Sequence, residues 1–479
     1  MNKKMIFYII GKILQVEGIL LLLPVIVSLI YQEQVTRIYG VIALLLLVLG
    51  SLISRSAPRD KDFFIKESLF IVGISWFLMA VFGALPLVFS GEIPHFVDAF
   101  FEIVSGFTTT GATVLSDIDQ LSHASLFWRS FTHWVGGMGI LVFTVAFIPL
   151  TSGRTMHILK AEMPGPIVGK LVSKAQVTAQ ILYILYGALT LIEVLLLLVG
   201  GMPLFDSLLT TFSTAGTGGF TMSNAGIIGY HSPYIEGVLT VFMIIFGINF
   251  NLIYLAALGR GWLVLKNEEL RWYLGIIATS TVLLTVNIRR LYGSMGEAFR
   301  YAVFQVASII TTTGFATTDY DQWPMFAQNV LLLLMFVGAS AGSTGGGIKV
   351  SRIVMVAKSG LKEIKRMLHP HGVVTVDFEG APVTARTLNN IHSYLLLYAL
   401  VFCGALLVVS LENLDFHTTF SAVATTINNV GPGFNGVGPM KNFGDLTALS
   451  KYTLAFTMLA GRLEIFPVLL LFSKYFWQE

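Results

Sequence analysis

The chain has 479 residues, of which 55% are hydrophobic and only 12% are charged, and its mean hydropathy is +0.77. Soluble globular domains usually contain about 25% charged residues, so this composition excludes a soluble protein and indicates an integral membrane protein. The net charge of +3 does not identify a partner, and the single cysteine, Cys403, excludes an intrachain disulfide framework and a cysteine-rich metal site.

Apolar runs recur along the whole chain, and with their flanks they reach the roughly 20 residues that a helix needs to cross a bilayer. They predict ten membrane helices, at 6–31, 38–54, 67–90, 127–150, 176–200, 233–258, 272–289, 328–357, 391–411 and 452–475. The first run is too long for the core of a signal peptide, so we expect it to be retained. The predicted fold class is an all-α integral membrane protein.

Lysines and arginines fall mainly on one side of the membrane under this ten-helix arrangement. Lys3, Lys4, Arg55, Lys61 and the cluster at 349–366 all lie on that side. Because cytoplasmic loops carry the excess of basic residues, both termini are predicted to be cytoplasmic. Acidic residues lie in the opposite loops, which would make the outer mouth attractive to cations.

Four short apolar segments between the predicted helices are too short to cross the membrane, and they share one ending. Each ends in a small cluster that closes on Gly111, Gly216, Gly314 or Gly431, and these glycines are 105, 98 and 117 residues apart. Six residues before each glycine lies a hydroxyl side chain, at Ser105, Thr210, Ser308 and Thr425. This agreement predicts four repeats of helix, re-entrant half-helix, loop and helix around one axis.

The repeats divide the chain into five predicted parts. Residues 1–58 form an N-terminal two-helix extension, 59–150 the first repeat, 151–260 the second, 261–366 the third, and 367–479 the fourth with its preceding cytoplasmic loop. Four equivalent units related by pseudo-symmetry place their loops together at the centre. The sequence therefore predicts a central pore.

Loops of this composition suit a monovalent cation. Backbone carbonyl oxygens can replace the hydration shell of an ion, and glycine permits the close backbone approach that such a ring requires. The loop clusters contain no carboxylate, which disfavours a site for Ca²⁺ or Mg²⁺. The residues predicted to line the pore and bind the ion are Thr109, Thr110, Gly111, Thr214, Ala215, Gly216, Thr312, Thr313, Gly314, Asn429, Val430 and Gly431.

Several runs in the sequence resemble the Trk/Ktr/HKT superfamily of K⁺ transporters. They are FTTTGAT, TTTGFAT, NNVGPGF, WRSFTHWVGGMGI, AGSTGGGIKV and GRLEIFP. The resemblance covers essentially the whole chain, and the two helices before the first repeat make it most similar to the Trk-type membrane subunit (TrkH/TrkG). It implies K⁺ as the transported ion, with no organic cofactor in this chain, and a location in the prokaryotic inner membrane. The second loop departs from the pattern because Thr217 precedes Gly218 and Gly219, which leaves its register open by a residue or two.

The eighth predicted helix contains the run GASAGSTGGG at 338–347. Glycine costs a helix roughly 0.8–1 kcal/mol relative to alanine, so we expect a break here. Close packing through small residues is the alternative interpretation. The resemblance implies that Gly345, Gly346 and Gly347 form the gate, with Lys349 just after it, although this lysine could simply reach the cytoplasmic interface.

Arg462 lies inside the last predicted helix, between two apolar runs. A guanidinium facing lipid at this depth is costly, so the side chain is expected to face protein or water. One interpretation is an ion pair with another repeat. The resemblance instead favours an arginine that faces the pore, opposes cation passage and contributes to gating.

The longest predicted cytoplasmic insertion, 358–387, begins with basic residues and continues as VVTVDFEGAPVTA, a pattern that favours a short hairpin. It is a candidate docking surface, while its basic residues could also bind the membrane surface. The resemblance implies a homodimer and a cytosolic nucleotide-binding regulatory subunit of the TrkA-like kind. No nucleic acid partner is expected.

Two other functions remain as alternatives. One is a Na⁺-permeable or H⁺- or Na⁺-coupled transporter with the same fold. The other, from a different class, is an intramembrane hydrolase that uses His133 with serine or aspartate residues. Four equivalent loops favour transport, because an enzyme has no need of them.

Overall fold

A computed structural model of the chain describes residues 2–55, 65–139, 175–370 and 374–471. The predicted domain boundaries at 58/59 and 150/151, and the ends of the fourth and tenth predicted helices, lie outside these ranges. Helices account for most of the described residues. Their helices are α1 Lys3–Leu20, α2 Leu22–Ile30, α3 Thr36–Ile53, α4 Ile65–Phe89, α5 Phe96–Phe107, α6 His123–Met138, α7 Ala175–Val199, α8 Leu204–Gly216, α9 Pro233–Phe246, α10 Phe250–Ala257, α11 Gly261–Lys266, α12 Glu268–Ile288, α13 Met295–Ile310, α14 Met325–Val337, α15 Val350–Leu368, α16 Ala385–Val409, α17 Phe416–Ile427, α18 Ala448–Arg462 and α19 Phe466–Leu471.

Among the described residues, six helices are long and apolar enough to cross a bilayer, or seven if one bent pair is counted as a single span. Several helices begin at a polar residue whose side chain accepts a hydrogen bond from a backbone N–H of the first turn, as at Ser122, Ser232, Ser294, Asp415 and Thr447. Such caps satisfy donors that the helix itself leaves unpaired. Helix starts in this chain are therefore set by local sequence.

The bent pair is a departure from the prediction of one continuous helix over 233–258. Helix α9 ends at Phe246, and α10 begins at Phe250 at an angle of 102° to it. The Asn249 side chain caps α10 by accepting from the N–H of Asn251 at 2.9 Å. The N–H of Phe250 donates to the carbonyl of Gly342 at 3.0 Å. The bend is therefore in direct contact with the run 338–347, where the eighth predicted helix is interrupted.

The four short apolar segments are α5, α8, α13 and α17, each of 12 to 16 residues. Each packs against the helices that flank it in sequence. They are too short to cross a bilayer of about 30 Å at 1.5 Å per residue. They therefore behave as the half-helices of the predicted repeats.

The extension and the cytoplasmic insertion also form secondary structure. Helices α1 and α3 pack closely where Gly11 faces Gly50. A side chain on either glycine would overlap the backbone of the other helix, so the absence of side chains permits this close approach. In the insertion, β1 Asp377–Phe378 pairs antiparallel with β2 Ala381–Pro382, so the predicted hairpin is confirmed. Its turn residues, Glu379 and Gly380, both have positive φ, as a two-residue hairpin turn requires.

Candidate ion-conduction pathway

Each of the four half-helices is followed by a loop of the same backbone conformation. The residue with left-handed φ is Thr109, Thr217, Thr312 or Asn429, at 55–60°. Two residues later comes a glycine with φ of 79°, 78°, 82° or 100°, at Gly111, Gly219, Gly314 and Gly431 respectively. Such angles are rare for residues with a side chain, which accounts for glycine at this position.

The same hydrogen bond anchors each loop to its own half-helix. The N–H of Thr110 donates to the Ser105 carbonyl at 2.8 Å. The three equivalent bonds, also 2.8 Å long, are Gly218 to Ser213, Thr313 to Ser308 and Val430 to Thr425. Similar φ values and hydrogen bonds of equal length make the four loops structurally equivalent.

The four loops meet in a closed ring, which we call the glycine ring (Gly111, Gly219, Gly314 and Gly431). A Cβ atom on any one of these glycines would overlap a carbonyl oxygen of another loop. The overlapping pairs are Gly111 with Gly218, Gly219 with Thr313, Gly314 with Val430, and Gly431 with Thr110. The contacts run from the first loop through the fourth and back to the first, so backbone surrounds one axis.

The second loop takes its place in the ring with a register different from the sequence-based one. Thr214, Ala215 and Gly216 lie in the last turn of α8, and Thr217 ends that helix in the left-handed region. The residue equivalent to Gly111 is Gly219, three positions beyond Gly216. In the other three loops the predicted residues, among them Thr110, Thr313 and Val430, lie at equivalent positions next to the ring glycines.

A cavity of about 210 Å³ reaches all four ring glycines from one side. Its lining combines backbone with neutral polar and apolar side chains, together with Arg129 and Lys441, and contains no carboxylate. In the described ranges, no group of three or more His, Cys, Asp or Glu side chains could hold a metal ion. This vestibule therefore leads to the ring without offering a carboxylate site for a divalent cation.

Acidic residues lie in the loops around this side of the molecule, and their surroundings shift three of their pKa values. Hydrogen bonds from Asn224 and Gln120 lower the pKa of Asp117. Partial burial opposes ionisation of Asp415, but hydrogen bonds led by the one from Thr418 lower its pKa to about 2. Burial raises the pKa of Asp321 to about 6. Asp117 and Asp415 are therefore ionised at neutral pH, and Asp321 is mostly ionised.

The predicted break in the eighth helix is confirmed, because α14 ends at Val337 and α15 begins at Val350. Residues 338–349, here the glycine-rich segment, fold against the lower side of the loops. The N–H of Gly346 donates to Thr312 Oγ1 at 2.6 Å, and a Cβ on Gly346 would overlap the carbonyl of Asn428. The segment thus directly contacts the third and fourth loops.

Arg462 connects the glycine-rich segment to α6. Its Nη1 donates to the Thr344 carbonyl at 2.7 Å, and its Nη2 donates to the carbonyls of Gly136 and Gly137, each at 2.6 Å. The side chain is 9% exposed, so it faces protein, as its position predicted. The nearby Glu464 pairs instead with Arg352 at 2.5 Å.

Lys349 lies at the end of the glycine-rich segment and is buried, so its ammonium does not extend to the interface. Its Nζ donates to the carbonyl of Gly345. The structure thus brings Gly345, Gly346, Gly347, Lys349 and Arg462 into one layer beneath the loops.

The sequence analysis missed a buried ion pair behind the first loop. Arg129 Nε and Nη2 donate to Glu102 Oε1 at 2.8 and 2.6 Å, and both side chains are at most 1% exposed. The pair joins α5 to α6. An acidic residue inside a short half-helix was the signal in the sequence that could have indicated a buried partner.

His133, the candidate for the hydrolase alternative, is buried between loops. Its Nδ1 lies 3.3 Å from Ser213 Oγ, and its ring stacks on Phe220 with centroids 4.2 Å apart. Both His133 and Ser213 are 0% exposed. The pair supports the second loop.

A ring of four equivalent backbone loops, reached by a vestibule and closed beneath by a single segment, defines a pore-forming membrane protein of the cation-transporter class. Residues 34–479 match the family described as TrkH, cation transport protein, and the chain belongs to that family.

Relatives of known name match over essentially their full length. The chain is 36% identical to the Trk system potassium uptake protein TrkH of Salmonella typhimurium, covering 100% of both chains. It is 33% identical to the Trk system potassium uptake protein TrkG of Escherichia coli, covering 99% of each. The crystal structure of the potassium transporter TrkH from Vibrio parahaemolyticus matches all of both chains with a TM-score of 0.90 at 33% identity.

Proposed function

We propose that this protein takes up K⁺ across the cytoplasmic membrane of a prokaryote through the pore formed by its four loops. The observation that carries the proposal is the closure of the glycine ring, in which each glycine lies against a carbonyl of another loop. Backbone oxygens at such a constriction can replace the hydration shell of a monovalent cation. The relatives named as potassium uptake proteins support K⁺ as the ion.

The residues proposed to bind the ion follow from the equivalence of the loops. They are Thr109, Thr110 and Gly111 in the first loop, Thr312, Thr313 and Gly314 in the third, and Asn429, Val430 and Gly431 in the fourth. In the second loop we assign Thr217, Gly218 and Gly219 in place of Thr214, Ala215 and Gly216, because the three predicted residues lie in α8.

The glycine-rich segment and Arg462 are proposed to form the gate. The segment touches the loops from below, and Arg462 ties it to α6 through carbonyl oxygens at 2.6–2.7 Å. Movement of the segment would have to break these hydrogen bonds. Arg462 would therefore oppose cation passage in two ways. Its positive charge repels the cation, and its hydrogen bonds act as a latch that holds the glycine-rich segment in place.

Finer features of the protein are part of the same proposal. They are the ten membrane helices, the division into an extension and four repeats, the cytoplasmic termini, the homodimer and a nucleotide-binding regulatory subunit on the cytoplasmic face. Helix α15 supports a cytoplasmic partner surface, because its last turns expose Leu361, Ile364, Met367 and Leu368 beside basic residues. Exposed apolar patches of this kind mark sites of association.

Tracer uptake into liposomes that contain the full chain tests the function. We expect ⁸⁶Rb⁺, a substitute for K⁺, to enter faster than ²²Na⁺ under an imposed gradient. Equal uptake of the two ions would refute a K⁺-selective pore and favour the Na⁺-permeable alternative. Uptake that requires a H⁺ or Na⁺ gradient would favour coupled transport.

A further inference from the structure

A network of ionic and aromatic contacts lies behind the first two loops. The Glu102 carboxylate accepts hydrogen bonds from the Thr113 hydroxyl at 2.9 Å and from the Val114 N–H at 3.0 Å, in addition to its pairing with Arg129. Thr113 and Val114 immediately follow the turn at Gly111. One buried carboxylate therefore fixes the outgoing end of the first loop to α5 and α6.

The same arginine reaches the second loop. The Arg129 guanidinium lies 4.2 Å from the centre of the Phe220 ring, and His133 stacks on the same ring at 4.2 Å. Phe220 directly follows the ring glycine Gly219. Arg129 thus connects the two neighbouring loops through one side chain, with Glu102 on one side and Phe220 on the other.

The ionic part of this network belongs to the first repeat alone. The residue nine positions before the ring glycine is Glu102 in the first repeat, and Thr210, Gln305 and Ala422 in the other three. Gln305 keeps a weaker form of the contact, because its Nε2 donates to Thr317 at 3.4 Å. A neutral residue can therefore occupy this position, so the half-helix itself does not require a carboxylate.

We propose that the Glu102–Arg129 pair, stacked on Phe220, positions the first and second loops relative to each other and thereby sets the preference of the ring for K⁺ over Na⁺. The inference rests on the proposed function. Replacing a buried ion pair with apolar residues is often neutral for stability, whereas removing one partner leaves a costly unpaired charge. These are positioning residues, since their proposed effect on the K⁺/Na⁺ preference acts through the loop backbone that they hold.

Selectivity separates this role from a simple effect of charge. Arg129 lines the vestibule, so loss of Glu102 would leave a positive charge that repels cations there. K⁺ and Na⁺ carry the same charge, and such repulsion would slow both by the same factor. Only a change in the spacing of the loops alters the ratio between them.

The test measures ⁸⁶Rb⁺ and ²²Na⁺ uptake by the full chain in liposomes for Glu102→Gln, Arg129→Gln and Phe220→Leu. We expect the Rb⁺/Na⁺ ratio to fall by about tenfold in the first two variants, equivalent to about 1.4 kcal/mol. Phe220→Leu keeps the ion pair and loses the stacked ring, so a fall of roughly threefold is expected. The matched control is Glu236→Gln, which removes a carboxylate that pairs with Arg300 at 3.2 Å, between α9 and α13.

A ratio that stays within about twofold of wild type in variants that elute as folded protein would overturn the inference, whatever happens to the absolute rates. If Glu102→Gln and Arg129→Gln do not fold, the uptake ratio of Phe220→Leu alone decides whether the inference holds. Wild-type protein without selective Rb⁺ uptake would instead refute the proposed function. An altered ratio in Glu236→Gln as well would also overturn the inference, because any lost ion pair would then suffice.

Discussion

Replacing Arg462 with alanine should open the pathway beneath the glycine ring. A unit charge about 6 Å from a permeating cation, at an effective dielectric constant of about 20, raises its energy by about 2.8 kcal/mol. A barrier of this size slows passage by roughly a hundredfold. The substitution also removes the hydrogen bonds to Thr344, Gly136 and Gly137, so the glycine-rich segment loses its tie to α6. Both effects raise the basal Rb⁺ flux of Arg462→Ala.

The lysine variant separates the two effects. Arg462→Lys keeps the positive charge but loses the planar fork that reaches three carbonyls at once. If charge forms most of the barrier, the flux of Arg462→Lys should rise much less than that of Arg462→Ala. If the latch dominates, the two variants should have similar flux.

The assay is ⁸⁶Rb⁺ uptake into liposomes, expressed per folded protein after size-exclusion chromatography. Arg300→Ala serves as the matched control, because Arg300 pairs with Glu236 away from the glycine-rich segment. We expect this control to have wild-type flux. A well-folded Arg462→Ala variant with flux equal to or below wild type would refute the barrier role.

Three further predictions concern the ring, the segment beneath it and the outer loops. Gly111→Ser and Gly219→Ser should both lower the Rb⁺/Na⁺ uptake ratio, because a Cβ at either position overlaps a neighbouring carbonyl; an unchanged ratio for Gly219→Ser would contradict the register proposed for the second loop. Converting 345–347 to alanine should change the Rb⁺ flux and leave that ratio near wild type, since the segment lies below the ring; a joint change would place it in the ion-binding site. Burial raises the pKa of Asp321 from 3.8 to about 6, so the folded state binds a proton more tightly and wild type loses stability as pH rises through this range. The melting temperature of Asp321→Asn should therefore increase relative to wild type between pH 4 and pH 8, and a constant difference would contradict this shift.

The sequence predicted the register of three of the four loops because one glycine follows a short cluster of Thr, Asn or Val residues in each. The second loop offered two candidates, since Gly216 and Gly219 both lie at the end of a run of small residues. The better signal was the aromatic residue after the ring glycine, because Gly219 and Phe220 match Gly314 and Phe315. Alignment by the spacing of glycines alone could not distinguish a helix end from the turn beyond it.

Breaks and bends were predicted only where their cause is local. Repeated glycines weaken the eighth helix by themselves, so its interruption could be read from composition. The bend at 247–249 depends on the segment that docks there, through bonds such as Ser340 N–H to the Gly247 carbonyl at 3.1 Å. The apolar sequence of that helix carries no sign of its distant partner.

Ion pairs between residues far apart in the sequence were also not predicted. Asp98 and Lys451 form a contact of 2.6 Å between α5 and α18, although 353 residues separate them. The cost of burying a charge predicts that each has a partner, but it does not identify the partner. Only the ring arrangement, in which the first loop is next to the fourth, brings the two together.

Fourfold equivalence holds at the glycine ring and ends directly beneath it. Each of the four half-helices is followed by one loop of the ring, whereas the layer below combines the glycine-rich segment with Arg462 of α18. A ring of equivalent backbone groups can discriminate ions by geometry, and a single segment can move without rearranging all four repeats. On the proposed roles of the glycine ring and the glycine-rich segment, selection and gating reside in different layers of one pathway. Substitutions in or behind the ring should change which ion passes, and substitutions beneath it should change how fast.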